Sequence, residues 1–171
     1  PYQYGNEDPE FLAKTWEAQR RTLALPNTGM AVITDIGNLQ NIHPTNKQEV
    51  GRRLALWALA NSYGKKDLVY SGPLFKSISV KDGKVRVNFD HTGSGLASRD
   101  GKPLTWFSIA GKDDKFVEAQ AEIDGASVVV SSDKVPKPTA VRLGWHKLAE
   151  PNLINKEGLP ASPFQSRGKK E

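Results

Sequence analysis

Met30-Ala31-Val32-Ile33-Thr34-Asp35-Ile36-Gly37-Asn38-Leu39-Gln40-Asn41-Ile42-His43-Pro44-Thr45 is the stretch from which the fold class of the first part of the chain is read. Met30 to Thr34 is a short continuous apolar run with β-branched residues, which predicts a strand covered on both faces, the kind found in parallel sheets. Asp35 closes that strand and a polar loop follows. Thr45-Asn46-Lys47-Gln48 then reads as a capping box, in which the Thr45 hydroxyl takes a first-turn amide and Gln48 reaches back. A helix therefore begins directly behind His43 and is expected to reach about Tyr63, with Gly64 as its C-cap. Val50, Leu54 and Trp57 form one apolar stripe and Leu56, Leu59 and Tyr63 lie opposite, so its second half is expected to be buried on two faces.

Upstream, Asp8-Pro9-Glu10 offers a helix start, and Leu12, Trp16, Gln19 and Leu23 recur at helical spacing up to the turn at Pro26-Asn27-Thr28-Gly29. Downstream, from Leu68, the period changes from helical to alternating. Phe75–Val80 and Lys84–Phe89 flank the tight turn Lys81-Asp82-Gly83, and Ile109-Ala110 and Phe116-Val117 flank a second turn. Glu122-Ile123 and Val128–Val130 flank Asp124-Gly125, and a last strand is expected from Thr139 to Trp145. About six short antiparallel strands at this spacing predict an all-β sandwich of immunoglobulin or fibronectin type. The segment from Glu150 to Phe164 has no periodicity, and is expected to be an extended strap anchored by Leu153, Leu159 and Phe164. The organisation expected is thus an α/β piece over 1–67, a β-sandwich over 68–149 and a strap and tail over 150–171.

Composition narrows the function. The 171 residues are 37% hydrophobic and 25% charged, values of an ordinary globular chain, and no apolar run is long enough to span a bilayer. The net charge of +5 is spread among interspersed acids, as in Lys112-Asp113-Asp114-Lys115, which argues against a nucleic-acid partner. Zero cysteines exclude disulfides and thiolate chemistry. No Cys/His cluster or carboxylate spacing points to a metal, and no loop to a cofactor. The opening Pro1-Tyr2-Gln3-Tyr4-Gly5 carries no initiator Met and no signal segment, which reads as a processed chain or a piece of a longer one.

Of the three histidines, His91 and His146 sit in loops and are read as inert. His43 lies between a buried strand and a capped helix, at what is expected to be the carboxyl edge of a parallel sheet, where α/β folds place ligands. It is a candidate base; its plainer role is a histidine that bonds its own loop. Asp35 either orients it or closes an Asx-turn near Gly37. Gly93-Ser94-Gly95 is no nucleophile elbow, because no helix pattern follows it.

Thr34-Asp35-Ile36-Gly37, together with Asn41-Ile42-His43-Pro44-Thr45-Asn46-Lys47-Gln48-Glu49-Val50-Gly51-Arg52-Arg53-Leu54-Ala55, resembles the C-terminal catalytic block of the sialate O-acetylesterases, serine esterases of the SGNH-hydrolase superfamily. Trp16-Glu17-Ala18-Gln19, Leu25-Pro26-Asn27-Thr28-Gly29-Met30 and the segment from Asn152 to Phe164 are similar to the same family. The resemblance implies that residues 1–67 are the end of an SGNH, flavodoxin-like hydrolase domain, secreted or periplasmic, acting on an acetylated carbohydrate. It implies that His43 takes the proton of a serine which, with its oxyanion donors, lies in an upstream half of the same protein, so that the chain alone is inactive. An acid commonly stands three residues before the histidine in that superfamily; here it is Gln40, with Asn38 and Asn41 nearby. Either Asp35 orients His43, or a backbone carbonyl does and the site works as a Ser-His dyad. A second reading makes the sandwich a glycan-binding or scaffold module beside a hydrolase remnant, with Trp106, Phe107 and Trp145 as a sugar platform.

Overall fold

The computed structural model describes residues 1–5 and 8–167. Helix α1, Phe11–Arg21, starts where Asp8 Oδ1 accepts the Glu10 amide at 2.9 Å, and it ends in Arg20 and Arg21, cations suited to the negative end of the helix dipole. Ala13 and Glu17 are its buried members, whereas Gln19, expected on the apolar stripe, is exposed. Glu17 is buried because Arg20 and Arg21 bond its carboxylate at 2.7 and 3.1 Å.

Helix α2, Lys47–Asn61, is capped one residue later than the sequence predicted. Asn46 Oδ1, not the Thr45 hydroxyl, accepts the Glu49 amide at 3.1 Å. The helix stops at Asn61, and Gly64 then takes a φ of +71°, which its missing Cβ permits. Its second half is not buried on two faces: Leu54 is 48% exposed and the buried residue is Arg53. The covered side carries Trp57, whose ring meets Tyr70 edge-on at 4.8 Å, and whose Cβ lies so near Gly29 that a Cβ there would sit 2.9 Å away.

Among the described residues Met30–Thr34 is not a strand, and every ladder is antiparallel and lies in the later part of the chain. An apolar run favours burial, but a strand also needs a neighbouring backbone. Here the Val32 carbonyl is taken instead by the Arg53 guanidinium at 2.6 Å.

The β-rich part is two four-stranded antiparallel sheets facing each other. One has the order β1 (Leu74–Lys81), β2 (Lys84–Asp90), β7 (Ser127–Ser131), β6 (Gln120–Asp124). The other runs β10 (Phe164–Arg167), β8 (Ala140–Leu143), β4 (Phe107–Ala110), β5 (Val117–Glu118), and β3 (Leu96–Ser98) pairs separately with β9 (Leu153–Asn155). The β1/β2 hairpin turns on Asp82 and Gly83, both at positive φ, the geometry whose twist matches the flanking strands. Strict alternation sends Val85, Val87 and Phe89 of β2 and Val128 and Val130 of β7 inward, against Phe107, Ile109, Val141 and Leu143 of the second sheet.

Leu153, Leu159 and Phe164 are buried, and the segment that carries them adds strands: β9 pairs with β3, and β10 is the edge strand of the second sheet. Phe164 stacks on Phe75 at 4.6 Å. The N-terminal segment docks on the end of β8 and the turn beyond it. The Tyr2 amide donates to the Lys147 carbonyl, the Lys147 amide donates to the Pro9 carbonyl, and Lys147 Nζ reaches the Tyr4 carbonyl at 2.6 Å. No helix among the described residues is long and apolar enough to cross a membrane.

Candidate active site

The loop carrying His43 is built by asparagines. Asn38 Oδ1 accepts the amides of Gln40 and Asn41 at 2.8 and 3.0 Å, and Asn41 Oδ1 accepts the His43 amide at 2.9 Å. These successive Asx-turns hold the loop without secondary structure, since a short polar side chain can stand in for a backbone turn. The Gln3 amide ties the N-terminal segment to the same loop through the Leu39 carbonyl at 2.8 Å. His43 itself is exposed, and its ring bonds no group among the described residues.

Asp35 is placed differently. Its two oxygens meet the two terminal nitrogens of Arg53 at 2.6 and 2.7 Å, a bidentate pair that is almost fully buried. Arg53 Nε turns to Glu49 at 2.7 Å, so one guanidinium bridges an acid of the helix, the acid before the loop and the Val32 carbonyl. Burial works against the charge of Arg53, but its bonds to Asp35 and Glu49 outweigh that and raise its pKa above the ordinary guanidinium value. Arg52 and then Arg53 hold the Glu49 carboxyl down to about 2. The structure thus brings Asp35 to α2, and no hydrogen bond joins its carboxylate to His43 among the described residues.

A cavity of about 280 Å³ lies beside the loop, lined by Trp16, Val32, Thr34, Asn41 and Ile42 among others. The Thr34 hydroxyl is buried and without a partner among the described residues. Sequence reasoning missed Arg53 as the clamp of the site and the two asparagines as its scaffold. The signal was present in the adjacent Arg52-Arg53 and in the Asn-X-X-Asn spacing, since an arginine on the covered side of a helix needs a buried acid.

No family model matches the chain. A solved carbohydrate acetylesterase from Xanthomonas citri is similar over 96% of this chain and 39% of its own, with 49% identity and a TM-score of 0.91. The sialate O-acetylesterase of Mus musculus is 40% identical over 72 residues, and that of Homo sapiens 39% identical over 71. The match spans only 13% and 14% of those two proteins. The class of protein to which the chain is similar is therefore that of the carbohydrate esterases. Within that class, the similarity is to the sialate O-acetylesterase family.

Proposed function

We propose that this chain is the C-terminal portion of a serine carbohydrate esterase that removes O-acetyl groups from sialic acid or another acetylated glycan, with His43 as general base. The observation that carries this reading is the His43 loop itself. An exposed imidazole, unbonded within the described residues, is held on a loop fixed by two Asx-turns in a chain similar throughout to a carbohydrate acetylesterase. Such an imidazole is available to take a serine proton and to return it to the departing sugar hydroxyl. The serine and its oxyanion donors would come from an upstream half of the same protein, completing an SGNH-type domain to which residues 1–67 contribute the last helices. The uncovered Leu54 and Leu59 of α2 support that arrangement. The antiparallel sandwich would be an immunoglobulin- or fibronectin-like appendage, and a secreted or periplasmic setting suits such a substrate.

Asp35 enters this reading as a positioning residue. With both oxygens on Arg53, it acts on His43 through the loop it anchors, leaving a Ser-His dyad at the chemical centre. Two measurements test the proposal. The 171-residue chain alone should not hydrolyse p-nitrophenyl acetate, and should do so once the upstream half is supplied; His43-dependent turnover by the chain alone would contradict it. In the completed protein, Asp35→Asn and Arg53→Met should each lower kcat about tenfold, with little further loss when combined, because contacting partners are not additive. A pH profile of kcat displaced by Asp35→Asn but not by Arg53→Met would instead show a direct bond from Asp35 to the base.

A further inference from the structure

A second groove lies on the outer face of the β-rich part. Its floor is a row set by strand register: Ser108 of β4 stands opposite Glu118 of β5 on one side and Arg142 of β8 on the other, so the three side chains share one face. Trp106 and His146, just before β4 and just after β8, form its end wall and enclose with that row a groove of about 600 Å³.

Trp106 is the first unusual member. It has a φ of +65°, a conformation that bulky residues avoid, and the residue is 40% exposed. Neither burial nor backbone ease accounts for a tryptophan there, in contrast to its neighbour Phe107, which is 1% exposed and belongs to the core. The sugar platform read from the sequence is thus reduced to Trp106, since Phe107 faces inward and the Trp145 indole N–H is committed to Glu10 at 3.3 Å.

His146 is the second. Its ring stacks on Trp106 at 5.9 Å with an interplanar angle of 23°, and its Nδ1 accepts the Leu148 amide at 3.1 Å. That bond fixes the tautomer, leaving Nε2 as an N–H donor beside the indole face. On the floor, the Glu118 carboxylate and the Ser108 hydroxyl have no hydrogen bond to other described residues. Arg142 is held against the Phe116 ring at 3.7 Å and bonded to Glu10 and Gln165, each at 2.9 Å.

We infer that this groove binds a pyranose unit of a neutral glycan. The flat indole fits the C–H face of a sugar ring, while a carboxylate, a hydroxyl and an imidazole N–H within reach of one ring match its hydroxyls. Charge excludes the simpler ligands. A cation would meet Arg142, which already occupies the cationic position over Phe116, and an anion would meet Glu118. The inference is independent of the esterase reading.

The test is titration of the 171-residue chain with xylohexaose and with cellohexaose, followed by tryptophan fluorescence and calorimetry, with a lysine octapeptide as a third probe. Saturable binding of at least one hexasaccharide is expected. Trp106→Gly should weaken it at least tenfold without lowering Tm, because glycine relieves the positive φ. Glu118→Gln should weaken it several-fold, and His43→Ala should leave it unchanged, so that this site and the esterase site fail separately. Binding of neither hexasaccharide, binding untouched by Trp106→Gly, or preference for the lysine peptide would each overturn the inference.

Discussion

Asn155 shows how much structure a single side chain can hold. It is fully buried, its amide donates to the Ser71 and His91 carbonyls, and its Oδ1 accepts the Leu159 amide at 2.9 Å. Asn155→Ala strands these backbone groups, and we expect a loss of about 3 kcal/mol in urea unfolding, since each buried unsatisfied group costs about 1–3 kcal/mol. Thr34 is the opposite case. Its buried hydroxyl bonds nothing among the described residues, so Thr34→Val should be neutral or stabilising by up to about 1 kcal/mol in the same assay. Neither residue announces its role in the sequence, because an asparagine in a polar tail and a threonine at the end of an apolar run are ordinary until their neighbours are known.

At the scale of elements, α2 is joined to its surroundings by titratable groups. Glu49 has its carboxyl lowered from an ordinary 4.5 to about 2, first by Arg52, so its contribution is complete above pH 4.5 and is lost as pH falls towards 2. His91, whose ring lies 5.1 Å from Tyr70 and 6.2 Å from Trp57, has its pKa pushed below 6.5 by burial. The unfolded chain therefore binds its proton first, and stability falls as pH drops below 6.5. The urea midpoint should decline in two stages on acidification, and His91→Asn should abolish the first. The elements themselves were legible where local chemistry decides them. Lys81-Asp82-Gly83 marks its hairpin because only positive-φ residues make that turn, and the register of β1 and β2 follows from it. Met30–Thr34 has a strand's composition without being one because a partner backbone is not a local property, and β10 gives no sequence signal because Phe164–Arg167 is too short to show alternation.

Across the whole molecule, the apolar groups are unevenly covered. Leu25, Ile42, Leu54, Leu59 and Tyr63, all within residues 1–67, are among the exposed large side chains, whereas the sandwich closes around a continuous core. Native-state hydrogen exchange should therefore find the amides of α2 opening at lower free energy than those of β2, β7 and β8. Equal protection would mean that the first part is as well covered as the second. The same division explains what the sequence disclosed of the site. The resemblance carried by Ile42-His43-Pro44 pointed to the histidine, while its supports, Arg53 and the two asparagines, depend on contacts 18 residues apart or on loop geometry. The central claim is that His43 is the general base of the completed esterase, and the most direct measurement is hydrolysis of an acetylated glycan by that protein carrying His43→Ala. The exposed position of His43 predicts an unchanged Tm and a fall in kcat of about 10³-fold; turnover at the unsubstituted rate would contradict the account.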